Sequence, residues 1–123
     1  MDLIVQGELN KKFRELSFPF VDGVQDVPFP YGAFGYSTNT HLNTKTSRGN
    51  AVYFQLDLYS KYNGQMEVKM MEHEVLDVLA LPFTLEDGRQ AFLYDWNFQV
   101  IYEKENGVYH GVLEINLNIY KEV

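Results

Sequence analysis

QAFLYDWNFQVIYEKENGVYHGVLEINLNIY, residues 90–120, decides the fold. Two segments of about thirteen residues alternate apolar and polar side chains, roughly Gln90 to Tyr102 and Val108 to Tyr120, and KENG joins them. A period of two over such lengths predicts strands, and a short Asn-Gly linker predicts that they form an antiparallel hairpin. The expected core faces are Phe92, Tyr94, Trp96, Phe98, Val100 and Tyr102 on the first strand and Leu113, Ile115, Leu117 and Ile119 on the second.

Working back from the hairpin, Val52, Phe54, Leu56 and Leu58 alternate with Tyr53, Gln55, Asp57 and Tyr59, a third strand of the same kind. SKYNG then turns the chain, with Asn63 or Gly64 expected to cap a helix whose apolar stripe is Val68, Met71, Val75, Val78 and Leu79. Pro82 ends it. Near the N-terminus Val5, Leu9, Phe13 and Leu16 recur at helical spacing, so an amphipathic helix is expected between Asp2 and Leu16, weakened by Gly7. FPFVDGVQDVPFPY follows, where Pro19, Pro28 and Pro30 withhold helical donors and impose an extended connection into a strand at Tyr31 to Ser37. The polar run from about 37 to 50 shows neither periodicity and reads as a long loop, a contact candidate by its length. The expected fold is therefore α+β, an antiparallel sheet of about four strands with two helices packed on one face, in the order α-β-β-α-β-β. At 123 residues it is one domain, residues 1–123.

The sheet's second face is the most informative feature for function. It should carry Tyr53, Gln55, Asp57 and Tyr59, then Asp95, Asn97 and Gln99, then Glu114, Asn116 and Asn118. Carboxamides both donate and accept, so such a face can meet a neighbour without burying unpaired charge, or line a channel. Gln55, Asn97 and Asn116 are taken as its interface residues.

The remaining composition mostly excludes. Without cysteine there is no disulfide, thiolate metal site or thiol nucleophile. A net charge of −7 argues against phosphate-backbone binding as the main activity. No apolar run approaches the roughly 20 residues that cross a bilayer, so no membrane partner is expected. MDLIVQGELNKKF lacks the pattern of a signal peptide, which points to synthesis and assembly in the cytoplasm. No G-x-S-x-G elbow or phosphate loop occurs; the glycines of GAFG, Gly32 to Gly35, are read as room for another backbone or a large ring. His41, His73 and His110 are scattered and lack zinc spacing. No catalytic, metal or cofactor residue is assigned, and the chain is expected not to be an enzyme. Two rival readings stand beside assembly. One is a small-ligand domain with an apolar pocket between the strand Phe92 to Tyr102 and the helices. The other is a metal-assisted hydrolase using Asp57, Asp95 and Glu114.

Residues 26–79 supply a more specific lead. A Pro-rich entry at Val27 to Tyr31, a polar phrase at Asn43 to Gly49, a strand from Val52 to Ser60, a Gly-containing turn at Tyr62 to Gly64 and a helix from Met66 to Leu79 succeed one another. In this order, with the closing hairpin, the chain resembles the tail-completion or tail-terminator family of long-tailed bacteriophages from about Asp26 to Tyr120. The resemblance implies a ring, commonly hexameric, that sits in the virion at the head–tail interface. Such a ring binds the end of the tail tube protein, stops tube polymerisation and offers a surface to the head-completion or connector protein. DNA would only pass through its lumen; six copies at −7 each give about −42, a charge that resists DNA adhesion. Asn43, Thr44, Lys45, Thr46 and Arg48 are the expected contacts to a neighbour or to the tube.

Overall fold

The computed structural model describes residues 3–22, 27–43 and 47–122, with 41–43, 47–48 and 122 described by their backbone alone. The elements are α1 (Leu3–Phe13), β1 (Phe20–Asp22), β2 (Tyr31–Asn43), β3 (Ser47–Ser60), α2 (Met66–Val78), β4 (Phe83–Thr84), β5 (Gln90–Glu103) and β6 (Val108–Glu122). Their order is α-β-β-β-α-β-β-β, and the strands form one six-stranded sheet in the spatial order β1-β2-β3-β6-β5-β4. Every pair is antiparallel except β1 on β2.

Both helices cover one face. Val5, Leu9 and Phe13 of α1 and Val68, Met71 and Val75 of α2, with Leu79 just beyond it, close a single core over Phe34, Val52, Phe54, Leu56, Leu58, Leu113, Ile115, Leu117 and Ile119. Each fully buried leucine contributes about 1.5–3 kcal/mol relative to exposure. The stripes expected from helical spacing are thus the ones that pack, and Leu16 joins as a half-buried margin.

Four expectations need correction. The sheet has six strands instead of about four, because β1 and β4, at three and two residues, are too short to show a period. Residues 37–50 are not a loop: β2 continues to Asn43 and β3 starts at Ser47, paired as far as Asn43↔Arg48. This arm has Thr38, Asn39 and Thr40 exposed, so its pairing rests on backbone hydrogen bonds and leaves no hydrophobic period to read. On β5 a register shift between Leu93 and Asp95 inserts one extra residue and reverses the alternation. Ala91 and Leu93 face the core before it, Trp96, Phe98, Val100 and Tyr102 after it; Phe92 lies opposite Asn118 on the other face, and Tyr94 sits exposed in the bulge. Finally, the N-cap residue of α2 is Gln65 instead of Asn63 or Gly64, and it makes no side-chain capping hydrogen bond.

The expected hairpin linker is present: Gly107 takes φ +68°, and its N–H donates to the Glu103 carbonyl at 2.9 Å. Gly32 and Gly35 have the expected close approaches. A Cβ on Gly32 would lie 2.5 Å from two carbons of the Phe20 ring, and one on Gly35 would lie 2.6 Å from Asp57 Oδ2. At the opposite end of β3, the buried Ser60 hydroxyl donates to Glu67 Oε1 at 2.7 Å and accepts the Tyr62 N–H, fixing the strand-to-helix turn.

Candidate functional site

The helix-free face assembles from four strands by register. Tyr53 lies opposite Asn116, Gln55 opposite Glu114 and Tyr59 opposite His110 across β3 and β6. Across β6 and β5, Asn116 faces Asp95, Glu114 faces Asn97 and Val112 faces Gln99. Ala51 and Asn118 extend the face toward the β2–β3 arm. The three interface residues taken from the sequence, Gln55, Asn97 and Asn116, therefore share one surface. Of the others, Thr44, Lys45 and Thr46 lie outside the described residues, while Asn43 and Arg48 are placed by backbone register at the end of the arm, away from that surface's centre.

Two hydrogen-bonded centres organise the face. Glu114 accepts from the Tyr53 hydroxyl at 2.6 Å and from Asn97 Nδ2 at 3.3 Å. Burial, reinforced by the Glu114 hydrogen bond and charge, pushes the Tyr53 phenol up to about 12. The second centre is Asp57, buried despite its charge, which accepts from Gln55 Nε2 at 3.0 Å and lies 2.8 Å from His110 Nε2. His110 stacks on Tyr59 with ring centroids 4.6 Å apart, and Tyr59 stacks on Tyr31 at 4.9 Å. Burial first, and then the Asp57 charge, raise the Tyr59 phenol to about 12. Gly35 makes the Asp57 position available, since any side chain there would displace its carboxylate.

His110 and Tyr31 are members of this surface that sequence reasoning missed. The hairpin register sets His110 opposite Ile101, and only the pairing of β6 with β3 brings it opposite Tyr59. The carboxylates of the hydrolase reading do not converge. Glu114 and Asp57 are each engaged by different neighbours, and Asp95 accepts the N–H of Trp96 at 2.8 Å in the bulge. Among the described residues no group of three His, Asp or Glu side chains could hold a metal ion. Of three cavities lined by described residues, one of about 600 Å³ borders Phe13, Phe18 and Phe20, one of about 270 Å³ borders Phe18, Tyr62 and Met70, and one of about 340 Å³ opens on the polar face at Ala51, Tyr94 and Asn116; none of these three lies between the strand Phe92 to Tyr102 and the helices, where the ligand reading puts its pocket.

Electrostatically the face has one sign. Asp57, Asp95, Glu103 and Glu114 lie on it, and among the described residues whose register places them there, none is Lys or Arg. The lone basic group is His110, held between Asp57 and Glu103, the latter 3.8 Å from Nδ1. No described helix is long and apolar enough to cross a membrane.

The family model described as Tail completion protein gp17 matches residues 12–120. No curated protein matches the chain. Among solved structures, a chain of the "Virion of native gene transfer agent (GTA) particle" superimposes with a TM-score of 0.77 at 13% identity, covering 98% of this chain and 100% of that one. At that identity the likeness is one of fold.

Proposed function

We infer that this chain, which belongs to the tail completion protein gp17 family, forms a ring that closes the head-proximal end of a tail tube. The family consists of structural virion proteins of the tail, not enzymes. In this reading the ring is a hexamer assembled in the host bacterial cytoplasm. It halts tube polymerisation and gives the head connector its docking surface.

The observation that carries the reading is the acidic helix-free face. A sheet face with four carboxylates and no Lys or Arg among its described residues repels a phosphate backbone, so it suits the wall of a passage through which DNA slides. Asn97, Gln55 and Asn116 keep that wall polar without adding charge. The β2–β3 arm ends at Asn43 and Arg48, and with Thr44, Lys45 and Thr46 between them in sequence these residues are the contacts proposed here for a neighbour or the tube.

The test joins solution mass to negative-stain imaging, with and without purified tail tubes. Rings with a central hole, or discs capping tube ends, support the reading; a monomer that leaves tubes uncapped and still polymerising overturns it. Replacing Lys45 and Arg48 together with Ala should impair capping, and unchanged capping would remove the arm tip from the account.

A further inference from the structure

The two edges of the sheet are each covered along only part of their length. β1 pairs with Gly32, Ala33 and Phe34 of β2, and among the described residues nothing pairs with the outer side of β2 beyond Phe34. β4 pairs with Gln90 and Ala91 of β5, and nothing described pairs with the outer side of β5 beyond Ala91. Among the described residues, open edges remain at Tyr36 to Asn43 and, past the bulge, at Trp96 to Glu103, eight residues each. A soluble protein ordinarily protects such edges with charge or proline. Here 22% of the chain is charged, yet Tyr36 to Asn43 contains no Lys, Arg, Asp, Glu or Pro, and Trp96 to Glu103 carries only Glu103 at its end. The β5 edge is also apolar and exposed: Trp96 and Ile101 at 47% each and Tyr102 at 51%.

We propose that these two edges pair with each other between copies, β5 of one subunit against β2 of the next, so that the sheets join into one continuous wall. The proposal rests on the ring reading above and names its subunit interface. Two features make the edges complementary. β2, β3, β6 and β5 alternate in direction, so β5 and the next copy's β2 meet antiparallel, the pairing the rest of the sheet uses. Both edges keep the same face: Thr38 and Thr40 lie on the polar side with Asn97, Gln99 and Ile101.

The covered parts determine how the copies must be offset. Along the register, Thr40 is level with Phe92, and Ile101 is level with Tyr31, so the open segments lie at diagonally opposite corners. Bringing Thr40 against Gln99 shifts each copy by six or seven residues, on the order of 20 Å along the strands. Four strands span about 19 Å across, so the wall would tilt its strands by about 45°, at the upper end of the tilt that closed barrels adopt. β1 and β4 then act as stops that permit only this staggered register.

The chain lacks cysteine, which allows a background-free test. Single cysteines at positions 38 or 40 are combined with ones at 97, 99 or 101 in the full chain, and rings, or tube-capped assemblies, are oxidised. The expected result is that at least one combination, such as Thr40→Cys with Gln99→Cys, gives a covalent ladder ending at the ring size while neither single variant does. Rings that form but cross-link in no combination overturn the edge pairing and leave the ring reading standing. Dimers from Gln99→Cys alone would mean that β5 pairs with itself, which also overturns it. Absence of any assembly, with or without tubes, sinks both. Ile101→Lys places a charge on the exposed edge; it should abolish ring assembly while leaving the monomer's thermal midpoint within about 2 °C, and an unaffected ring would count against the proposal.

Discussion

Gly32→Ala should destabilise the protein through one side chain, the Phe20 ring. An added Cβ would sit 2.5 Å from two ring carbons, and Leu58 Cδ2 at 3.2 Å limits yielding in another direction. Carbon contacts favour about 3.5–4.0 Å, so the ring has to move by roughly 1 Å or more. It is held at 4.6 Å from Phe13 and 4.9 Å from Phe34, and pairs of this kind contribute about 0.5–1.5 kcal/mol each. Adding an overpacking cost of about 1–3 kcal/mol and subtracting about 0.5 for the stiffer unfolded chain gives a net loss of about 1.5–5.5 kcal/mol if both pairs are lost. For a chain of this size that is a fall of roughly 6–22 °C in thermal midpoint. Urea unfolding followed by circular dichroism measures it, in the wild-type and Phe20→Ala backgrounds. With the ring absent, Gly32→Ala should cost less than about 0.5 kcal/mol. An equal cost in both backgrounds would show that the ring contact is not the cause.

Gly7 is exposed on α1 and an added Cβ there meets nothing within 4 Å, so Gly7→Ala should raise stability by about 0.5–1 kcal/mol, read from the denaturation midpoint. Glu114→Gln removes a charge and changes the acceptor for the Tyr53 hydroxyl. An alkaline ultraviolet titration should show one of the two tyrosines that titrate at about 12, Tyr53, falling while staying above the ordinary value, because burial, the larger cause, remains, with Tyr59 unmoved; an unchanged curve would break the link to Glu114. Burial raises the Glu72 carboxyl above its ordinary range, offset in part by His73 and Lys69. The folded state then holds this proton more tightly than the unfolded one, so stability declines as pH rises from the ordinary carboxylate value through the raised one. Glu72→Gln should remove that decline and raise the thermal midpoint at pH 7 more than at pH 4.

The elements with a buried stripe were readable residue by residue. Val5, Leu9 and Phe13 on one helix, Val68, Met71 and Val75 on the other, and Leu113 to Ile119 on the last strand all point where hydrophobic spacing places them. What escaped has physical causes. The arm residues Thr38 to Thr40 pair through their backbone and present polar side chains to solvent, so no alternation betrays the strand. The bulge at Leu93 to Asp95 leaves composition untouched and yet reassigns Phe92, and a single-residue slip of this kind leaves no local mark. For the candidate surface, the polar positions Gln55, Asn97 and Asn116 followed from alternation alone, whereas His110 needed the pairing of β6 with β3. The stagger between open edges could be seen only once β1 and β4 were in place.

In the ring reading, the way Glu114 and Asp57 are held bears on how the wall treats an ion. Each oxygen of Glu114 already accepts one hydrogen bond, from Tyr53 or from Asn97, and one oxygen of Asp57 meets both Gln55 and His110. A Mg²⁺ or polyamine arriving to bridge a phosphate to this face would compete with those partners for the lone pairs. A wall whose acidic side chains are held this way would give passing DNA fewer points at which to stick.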